Sequence, residues 1–344
     1  MLKKLHELLE SKSPFVAFRK PNGSTITVIE QQDDLLYDAH NFEAKGFVFA
    51  PFDTSTKEVL FPAHLIKKTT FSLQNSTGNY TPSMRGEDTA SKEKYLLLLE
   101  KSLAFIKETE VEKIVISRRE YCPESTENEV VLLQRLLSAY SNAFVYLWVH
   151  PKVGTWLGAS PERLLELQGD VLQTMALAGT QPYLNTEQVV WKQKEITEQQ
   201  FVTNFVIENL RPFVTCLETS DTYTVKAGRL LHLRTDIEGR LKQAITVREL
   251  INHLHPTPAV CGVPKQEAKS FILKNEGYDR RFYTGFLGEL NMDDKTCLYV
   301  NLRCMEVSKE GTFVYIGGGI TIDSIPEKEW EETVSKSKTM KRIL

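Results

Sequence analysis

Short runs of apolar residues recur along the chain and predict β-strands separated by helices and turns. Residues 113–120 (KIVISRRE) and 143–150 (AFVYLWVH) are typical strand sequences, and Gly169-Asp170 joins two further runs as a hairpin. Between residues 95 and 106 the apolar positions instead recur every three or four residues, which predicts a helix. Because strands in antiparallel-looking pairs alternate with scattered helices, the pattern favours an α+β fold.

A long amphipathic helix is predicted from Thr186 to about Leu210, and its apolar stripe contains two charged residues. Lys194 and Glu198 lie on the same stripe as Trp191 and the aromatic residues that follow. Burying a bare carboxylate is costly, so such a group is normally paired or bound to a metal. Two interpretations remain open: a buried pair of Glu198 with Lys194 or an arginine, and a metal site shared with acids elsewhere in the chain.

The stretch Ile316–Lys336 carries three consecutive glycines and then an acidic helix. Gly317–Gly319 lie between β-forming residues, and we expect a loop whose exposed backbone N–H groups suit an anionic ligand. The helix carries Glu329, Glu332 and Lys336 along one flank of its apolar stripe. These side chains form either a solvated flank with an i,i+4 pair or, with the acid of the earlier helix, a cation site. Three carboxylates without a nearby Cys or His favour Mg²⁺ over Zn²⁺.

Composition limits the class of protein. The chain has 344 residues, 41% hydrophobic and 25% charged, with a net charge of −3, which argues against a general nucleic-acid binder and against attachment to a membrane surface. No apolar run has the length of a transmembrane helix, and the charged N-terminus predicts an amphipathic helix instead of a signal peptide. Five scattered cysteines without a CxxC pair predict reduced thiols and a cytoplasmic location.

Three further residues are candidates for chemistry, each with a plainer alternative. Lys113 begins a predicted strand; it can act as a base only if burial removes its charge, whereas most lysines at strand edges are solvated. Glu162 follows a Ser-Pro turn and either pairs with Arg163 or faces a site. His232 alternates with two leucines, a pattern typical of a hydrogen-bonded core histidine.

Taken together, these stretches resemble the motifs of the chorismate-binding family, which comprises isochorismate, salicylate, anthranilate and aminodeoxychorismate synthases. The matching segments are 113–118 (KIVISR), 158–164 (GASPERL), 176–180 (ALAGT), 194–200 (KEITEQQ), 231–241 (LHLRTDIEGRL), 254–264 (LHPTPAVCGVP), 282–290 (FYTGFLGEL), 301–307 (NLRCMEV) and 316–336. The resemblance covers residues 92–344, a chorismate-binding catalytic region, and implies that residues 1–91 are a variable N-terminal part packed on the same fold. It implies an α+β fold with two large facing β-sheets, helices packed outside and a central cleft.

The resemblance also implies the roles of individual residues. Glu198 and Glu332, with Glu329 beside them, match the ligands of a Mg²⁺ ion that binds the ring carboxylate of chorismate. Lys113 matches the lysine that activates water for attack at C2, and Glu162 matches the acid that protonates the departing C4 hydroxyl. The implied substrate contacts are Gly179, Thr180, His232, Ala259, Val260, Tyr283, Arg303, Gly318 and Gly319.

Within the family, Lys113 and the pair Ala259-Val260 resemble the isochorismate-forming members, which convert chorismate to isochorismate. The resemblance implies a monomer that needs no glutaminase subunit. Salicylate synthase, which also eliminates pyruvate, and aminodeoxychorismate synthase are the alternatives, and a non-catalytic chorismate-binding protein is the least favoured. Three residues depart from those common in the family: Met175, Gln181 and Gln199.

Overall fold

A computed structural model of the chain describes residues 1–73, 89–123, 128–242 and 245–344. The sequence predicts a loop over the polar stretch 74–92. Most of that stretch lies outside the described residues, but its last part is helical, since α2 begins at Thr89. None of the described helices combines the length and apolar content needed to cross a lipid bilayer. The described α-helices are α1 (Leu2–Glu10), α2 (Thr89–Glu108), α3 (Glu129–Ala139), α4 (Gln193–Leu210), α5 (Val247–Leu254), α6 (Lys265–Asn275) and α7 (Pro326–Lys341).

The described strands form two large antiparallel sheets. In the first half of the chain they are β1 (Phe15–Arg19), β2 (Thr25–Gln31), β3 (Gly46–Ala50), β4 (Val59–Pro62), β5 (Ile66–Ser72), β6 (Lys113–Pro123), β7 (Phe144–His150), β8 (Gly154–Ser160) and β9 (Arg163–Gln168). In the second half they are β10 (Val171–Pro182), β11 (Val214–Thr219), β12 (Tyr223–Ala227), β13 (Leu230–Leu241), β14 (Gly262–Val263), β15 (Phe286–Met292), β16 (Lys295–Val300), β17 (Cys304–Ser308) and β18 (Gly311–Thr321).

The order of the strands shows that the chain passes repeatedly from one sheet to the other. The first sheet runs β14-β6-β18-β17-β8-β7-β1-β2-β5, and the second runs β11-β13-β10-β9-β16-β15-β3-β4, with β12 paired to β13. The strands of the first 73 residues are divided between the two sheets, since β1 pairs with β7 and β3 pairs with β15. The division of the chain at residue 91 stays a prediction.

An aromatic layer joins the inner faces of the two sheets. Phe49 of the second sheet packs against Trp148 of the first, with ring centroids 5.1 Å apart, and stacks on Phe282 at 4.1 Å. Burying each such ring contributes roughly 1.5–3 kcal/mol, and the edge-to-face and stacked geometries add to it. The sheets therefore face each other, as the sequence predicts.

The outer faces of the sheets are covered by helices. Leu5 of α1, Leu133 of α3 and Met340 of α7 pack in one cluster over the first sheet, and Val202 of α4 packs over the second. Strands covered on both faces favour apolar residues at successive positions, which explains the uninterrupted apolar run FVAF at residues 15–18 of β1. The predicted α+β architecture with helices outside is confirmed.

The predicted long helix begins later than expected. α4 starts at Gln193, where the Glu195 side chain accepts the backbone N–H of Lys192 at 3.1 Å and so caps the first turn. Trp191 therefore lies outside the helix, and its indole N–H donates to Thr224 Oγ1 at 2.9 Å. The predicted start at Thr186 was wrong because the apolar spacing continues by chance into the preceding segment.

Candidate active site

A cavity opens between the sheets where β6 and β18 meet β10 and β13. It encloses about 850 Å³ of non-protein space, part of which is open to solvent. Most of the residues that the sequence marks as a site line this cavity: Glu162, Gly179, Thr180, Glu198, His232, Ala259, Val260, Tyr283, Arg303, Gly318 and Gly319. Lys113, Glu329 and Glu332 are not in direct contact with the space but lie behind its wall, as described below.

The three glycines form part of a strand, so the predicted loop is wrong. Gly317–Gly319 belong to β18 and pair with β6 on one side. On the other side, β17 pairs with β18 only as far as Val314, so among the described strands none covers that edge of the glycine segment. A Cβ on Gly317 would stand 2.7 Å from Tyr283 Oη, and one on Gly319 would stand 2.6 Å from Glu198 Oε1. Glycine is needed here because other side chains approach the backbone.

Lys113 is the first residue of β6, and its side chain is fully buried. Since β6 lies between β14 and β18 in the sheet, the alternative of a solvated edge lysine is wrong. Its Nζ lies 3.0 Å from Glu198 Oε1. Burial alone would raise the pKa of Glu198, but the positive charges of Lys113 and neighbouring lysines outweigh it and hold that pKa below the usual value.

The other two predicted metal ligands also have lysine partners. Lys194 pairs with Glu329, so the predicted Lys194–Glu198 pair is wrong; Glu198 does have an amine partner, but it is Lys113 of strand β6. Burial raises the pKa of Glu329, and Lys194 opposes that rise. The alternative i,i+4 pair on α7 is present, with 2.7 Å between Lys336 and Glu332. Within the described residues, no three His, Cys, Asp or Glu side chains stand close enough together to hold a metal ion.

Glu162 is a buried carboxyl on the wall of the cavity. Its side chain is 2% exposed, and burial raises its pKa to about 8, although the charge of Lys113 opposes the shift. Thr257 donates a long hydrogen bond of 3.4 Å to Glu162 Oε1. The alternative pair with Arg163 is wrong, because Arg163 begins β9 and bonds Glu166 at 2.6 Å instead. At neutral pH the carboxyl is therefore protonated and can donate a proton.

Arg303 brings a half-buried positive charge to the cavity. Burial lowers its pKa to about 10, and no carboxylate of the described residues pairs with it. It donates to the Ala227 carbonyl at 2.8 Å and to Nε2 of His232. His232 in turn donates from Nδ1 to the Gly179 carbonyl at 2.7 Å, and burial together with Arg303 lowers its pKa to about 3. A neutral histidine thus holds an unneutralised guanidinium in the cavity, which is an arrangement that binds an anion.

The comparisons with known proteins agree with this geometry. A family model described as chorismate binding enzyme matches residues 51–344. The chain belongs to the chorismate-binding enzymes. This confirms the family that the sequence motifs indicate.

Several relatives of this chorismate-binding enzyme are named isochorismate synthases. DhbC of Bacillus subtilis is 32% identical over 265 residues, which are 72% of this chain and 66% of the relative. EntC of Escherichia coli K12 is 30% identical over 244 residues, which are 68% of this chain and 62% of the relative. These matches span slightly less than two thirds of the relatives' own lengths. DhbC of Bacillus anthracis has a similar crystal structure, with a TM-score of 0.82 at 26% identity, covering 100% of this chain and 99% of that chain.

Two residues of the cavity were missed by the sequence analysis in their observed roles. Lys336 lines the cavity and donates to the Gly317 carbonyl at 3.1 Å, in addition to its pair on α7. Thr257 is the side chain that bonds Glu162. The signal for Thr257 was its place in the segment 254–264, two residues before Ala259. Nothing in the sequence indicates that Lys336 turns toward the glycines.

The residues that depart from the usual chorismate-binding motifs have structural partners. Gln199 is buried, and its amide donates to Thr203 and Thr235, each at 2.8 Å. Gln181 donates to the Val190 carbonyl at 3.0 Å on the exposed segment before α4. Met175 is buried in β10. The amide nitrogen of Gln199 thus has two acceptors within the buried layer beside the Glu198 position.

Proposed function

We propose that the protein is an isochorismate synthase that converts chorismate to isochorismate. A water molecule attacks C2 of the ring and gives a proton to Lys113, which must first release the proton that it holds in its ion pair with Glu198; the ring double bonds shift, and the C4 hydroxyl leaves as water with a proton from Glu162. One water is consumed and one is released, so the reaction is an isomerisation. The observation that carries the proposal is a carboxyl on the cavity wall, Glu162, that burial keeps protonated, together with a fully buried lysine, Lys113, directly behind that cavity beside Glu198. The relatives' names support the same reaction.

The charges of the cavity suit a substrate with two carboxylates. Arg303 offers an unneutralised guanidinium for the enolpyruvyl carboxylate, with Tyr283 and the open edge of Gly318 and Gly319 beside it. Gly179 and Thr180 line the side assigned to the ring. The small side chain of Ala259, next to Val260, leaves room beside C2 for a water molecule, as the proposed reaction requires.

We assign Mg²⁺ as the cofactor, held by Glu198 and Glu332 with Glu329 nearby. Carboxylate oxygens are the hard ligands that Mg²⁺ prefers, although in this structure each acid is paired with a lysine: Glu198 with Lys113, Glu329 with Lys194 and Glu332 with Lys336. When bound, the ion supplies positive charge for the ring carboxylate of chorismate.

Replacing Glu198 by Ala is expected to weaken Mg²⁺-dependent chorismate binding by roughly 10–100-fold, since a proposed metal ligand is lost. Isothermal titration with chorismate at several Mg²⁺ concentrations measures the effect. The matched control is Glu208→Ala, an exposed acid on the same helix. Unchanged metal dependence in Glu198→Ala would remove this residue from the ligand set.

The reaction itself is tested by incubating the protein with chorismate and Mg²⁺ and identifying the products by chromatography. We expect isochorismate to form without any amine source. Salicylate and pyruvate as the products would indicate a salicylate synthase, and a requirement for ammonia would indicate an aminodeoxychorismate synthase. Tight binding without turnover would indicate a non-catalytic chorismate-binding protein. The proposal includes a cytoplasmic monomer that acts without a glutaminase subunit.

A further inference from the structure

A buried ion pair joins Glu276 to Arg280, and the proposed reaction gives it no role. Glu276 caps the C-terminus of α6, and the two side chains are 1% and 2% exposed. The carboxylate accepts from the guanidinium at Nε, over 2.8 Å, and at Nη2. It also accepts from the backbone N–H of Ser117 at 2.7 Å and from the hydroxyl of that residue at 3.0 Å. The pair is thus bonded to strand β6.

The guanidinium of Arg280 bonds three separate segments of the cavity wall. Nη2 donates to the Val115 carbonyl at 2.7 Å. Nη1 donates to the Val260 carbonyl at 2.9 Å and to Thr284 Oγ1 at 3.1 Å, and all three of these partners line the cavity. With the two bonds to Glu276, each of the five N–H groups of the guanidinium has an acceptor. A rigid planar group bonded in this way holds its partners at fixed separations.

Two of these segments carry the proposed base and the partner of the proposed acid. Lys113 precedes Val115 by two residues on β6, so both side chains lie on the same face of the strand. Thr257 donates to Glu162, and its own carbonyl accepts the backbone N–H of Val260 at 3.0 Å. The bonds of Arg280 to the Val115 and Val260 carbonyls therefore connect the strand of the base to the turn that contacts the acid.

We propose that Arg280, held by Glu276, is a positioning residue that fixes the distance between the Lys113 amine and the Glu162 carboxyl. A base and an acid serve one reaction only when both reach their atoms at hydrogen-bond distance, and a displacement of about 1 Å can lower the rate roughly 10²-fold. Arg280 is not among the residues that line the cavity, so it acts through the segments that it bonds. This inference rests on the proposed function.

The test is Arg280→Lys, assayed for conversion of chorismate in the presence of Mg²⁺. Lysine keeps the positive charge beside Glu276, but one ammonium cannot reproduce the fixed fork of a guanidinium. We expect kcat to fall roughly 10–100-fold and KM to stay within about threefold, since the groups assigned to substrate binding are untouched. The loss stays in this range because the backbone N–H of Val115 remains bonded to the Cys261 carbonyl at 2.6 Å.

Glu276→Asp is a second, independent variant. It keeps both charges but withdraws the carboxylate by one methylene group, so the guanidinium shifts with it. We expect the same fall in kcat at a nearly constant KM. This variant replaces Arg280→Lys if that protein does not fold, which thermal melting shows.

Arg19→Lys is the matched control for a merely structural role. Arg19 is equally buried, at 2% exposed, and donates to the carbonyls of Leu137 and Tyr140, neither of which lines the cavity. The control should lower the melting temperature and leave kcat unchanged. A natural kcat in Arg280→Lys and Glu276→Asp, a loss carried by KM instead, or an equal loss of kcat in Arg19→Lys would overturn this inference alone. No conversion of chorismate by the natural protein would overturn the proposed function together with it.

Discussion

Lys113→Ala is expected to lower kcat for chorismate by roughly 10³-fold or more and to leave the Kd for chorismate within a few-fold. The side chain is fully buried at the start of β6, its Nζ lies 3.0 Å from Glu198 Oε1, and a Cβ on Gly319 would approach its Cε to 3.0 Å. Removing the amine thus removes the proposed base without removing Arg303, which is assigned to substrate binding. Chromatographic assays give kcat, and titration calorimetry gives Kd.

Two further variants make this expectation specific. Lys113→Met keeps most of the side-chain volume, so it separates loss of the amine from loss of packing, and it should be as inactive as the alanine variant. Lys107→Ala, an exposed lysine of α2, serves as the control for lysine removal. Turnover above one tenth of the natural rate in Lys113→Met would exclude this amine as the base.

Glu162→Gln should lower kcat by roughly 10²–10⁴-fold, because an amide cannot donate the proton that the C4 hydroxyl needs on leaving. The same variant should be more stable than the natural protein at alkaline pH. Burial raises the pKa of Glu162 from 4.5 to about 8, so the folded state keeps a proton that the unfolded state loses between these values. That difference destabilises the natural fold progressively from pH 4.5 to 8, by at most about 5 kcal/mol.

The loss of activity and the gain in stability of Glu162→Gln depend differently on pH, so measuring both tests whether this carboxyl is buried and protonated. Urea unfolding at pH 4.5 should give similar free energies for both proteins, and the advantage of Glu162→Gln should reach its full size above pH 8. The kcat of the natural enzyme should fall above pH 8, as the acid loses its proton. Glu166→Gln, an acid four residues along on β9 with lysine and arginine partners, is the control. An inactive Glu162→Gln that is also less stable at pH 8.5 would contradict a buried, protonated carboxyl.

Most of the fold could be predicted because apolar periodicity reports directly on burial. The strand predicted at 143–150 and the hairpin at Gly169-Asp170 follow from local sequence, and both are present. The start of α4 was predicted wrongly because apolar periodicity carries no information about helix capping. The Glu195 side chain bonds the Lys192 backbone N–H, and this cap fixes the point at which the helix begins. The glycine segment was mistaken for a loop because neighbouring β6 supplies the pairing that makes it a strand.

The site residues could be named from motifs, but their partners could not. An i,i+4 relation made Lys194 the expected partner of Glu198, yet α7 brings Glu329 closer, and β6 brings Lys113 to Glu198. Glu162 and Arg163 are adjacent in sequence, but Arg163 turns to Glu166 along β9. Ion pairing depends on which helices and strands pack together, and that packing is a property of the tertiary structure that the local sequence does not reveal.

The glycine segment of β18 also limits which amino-acid substitutions this protein can accept during evolution. Gly317 and Gly319 each leave less than 3 Å for an added methyl group, so even the smallest substitution there would displace Tyr283 or Glu198. That side of the cleft therefore accepts a new side chain at Gly317 or Gly319 only if a neighbouring side chain moves. The facing wall already carries side chains, and Leu177 and Leu230 touch the cavity there, so a change of substrate preference has a more direct route on that wall.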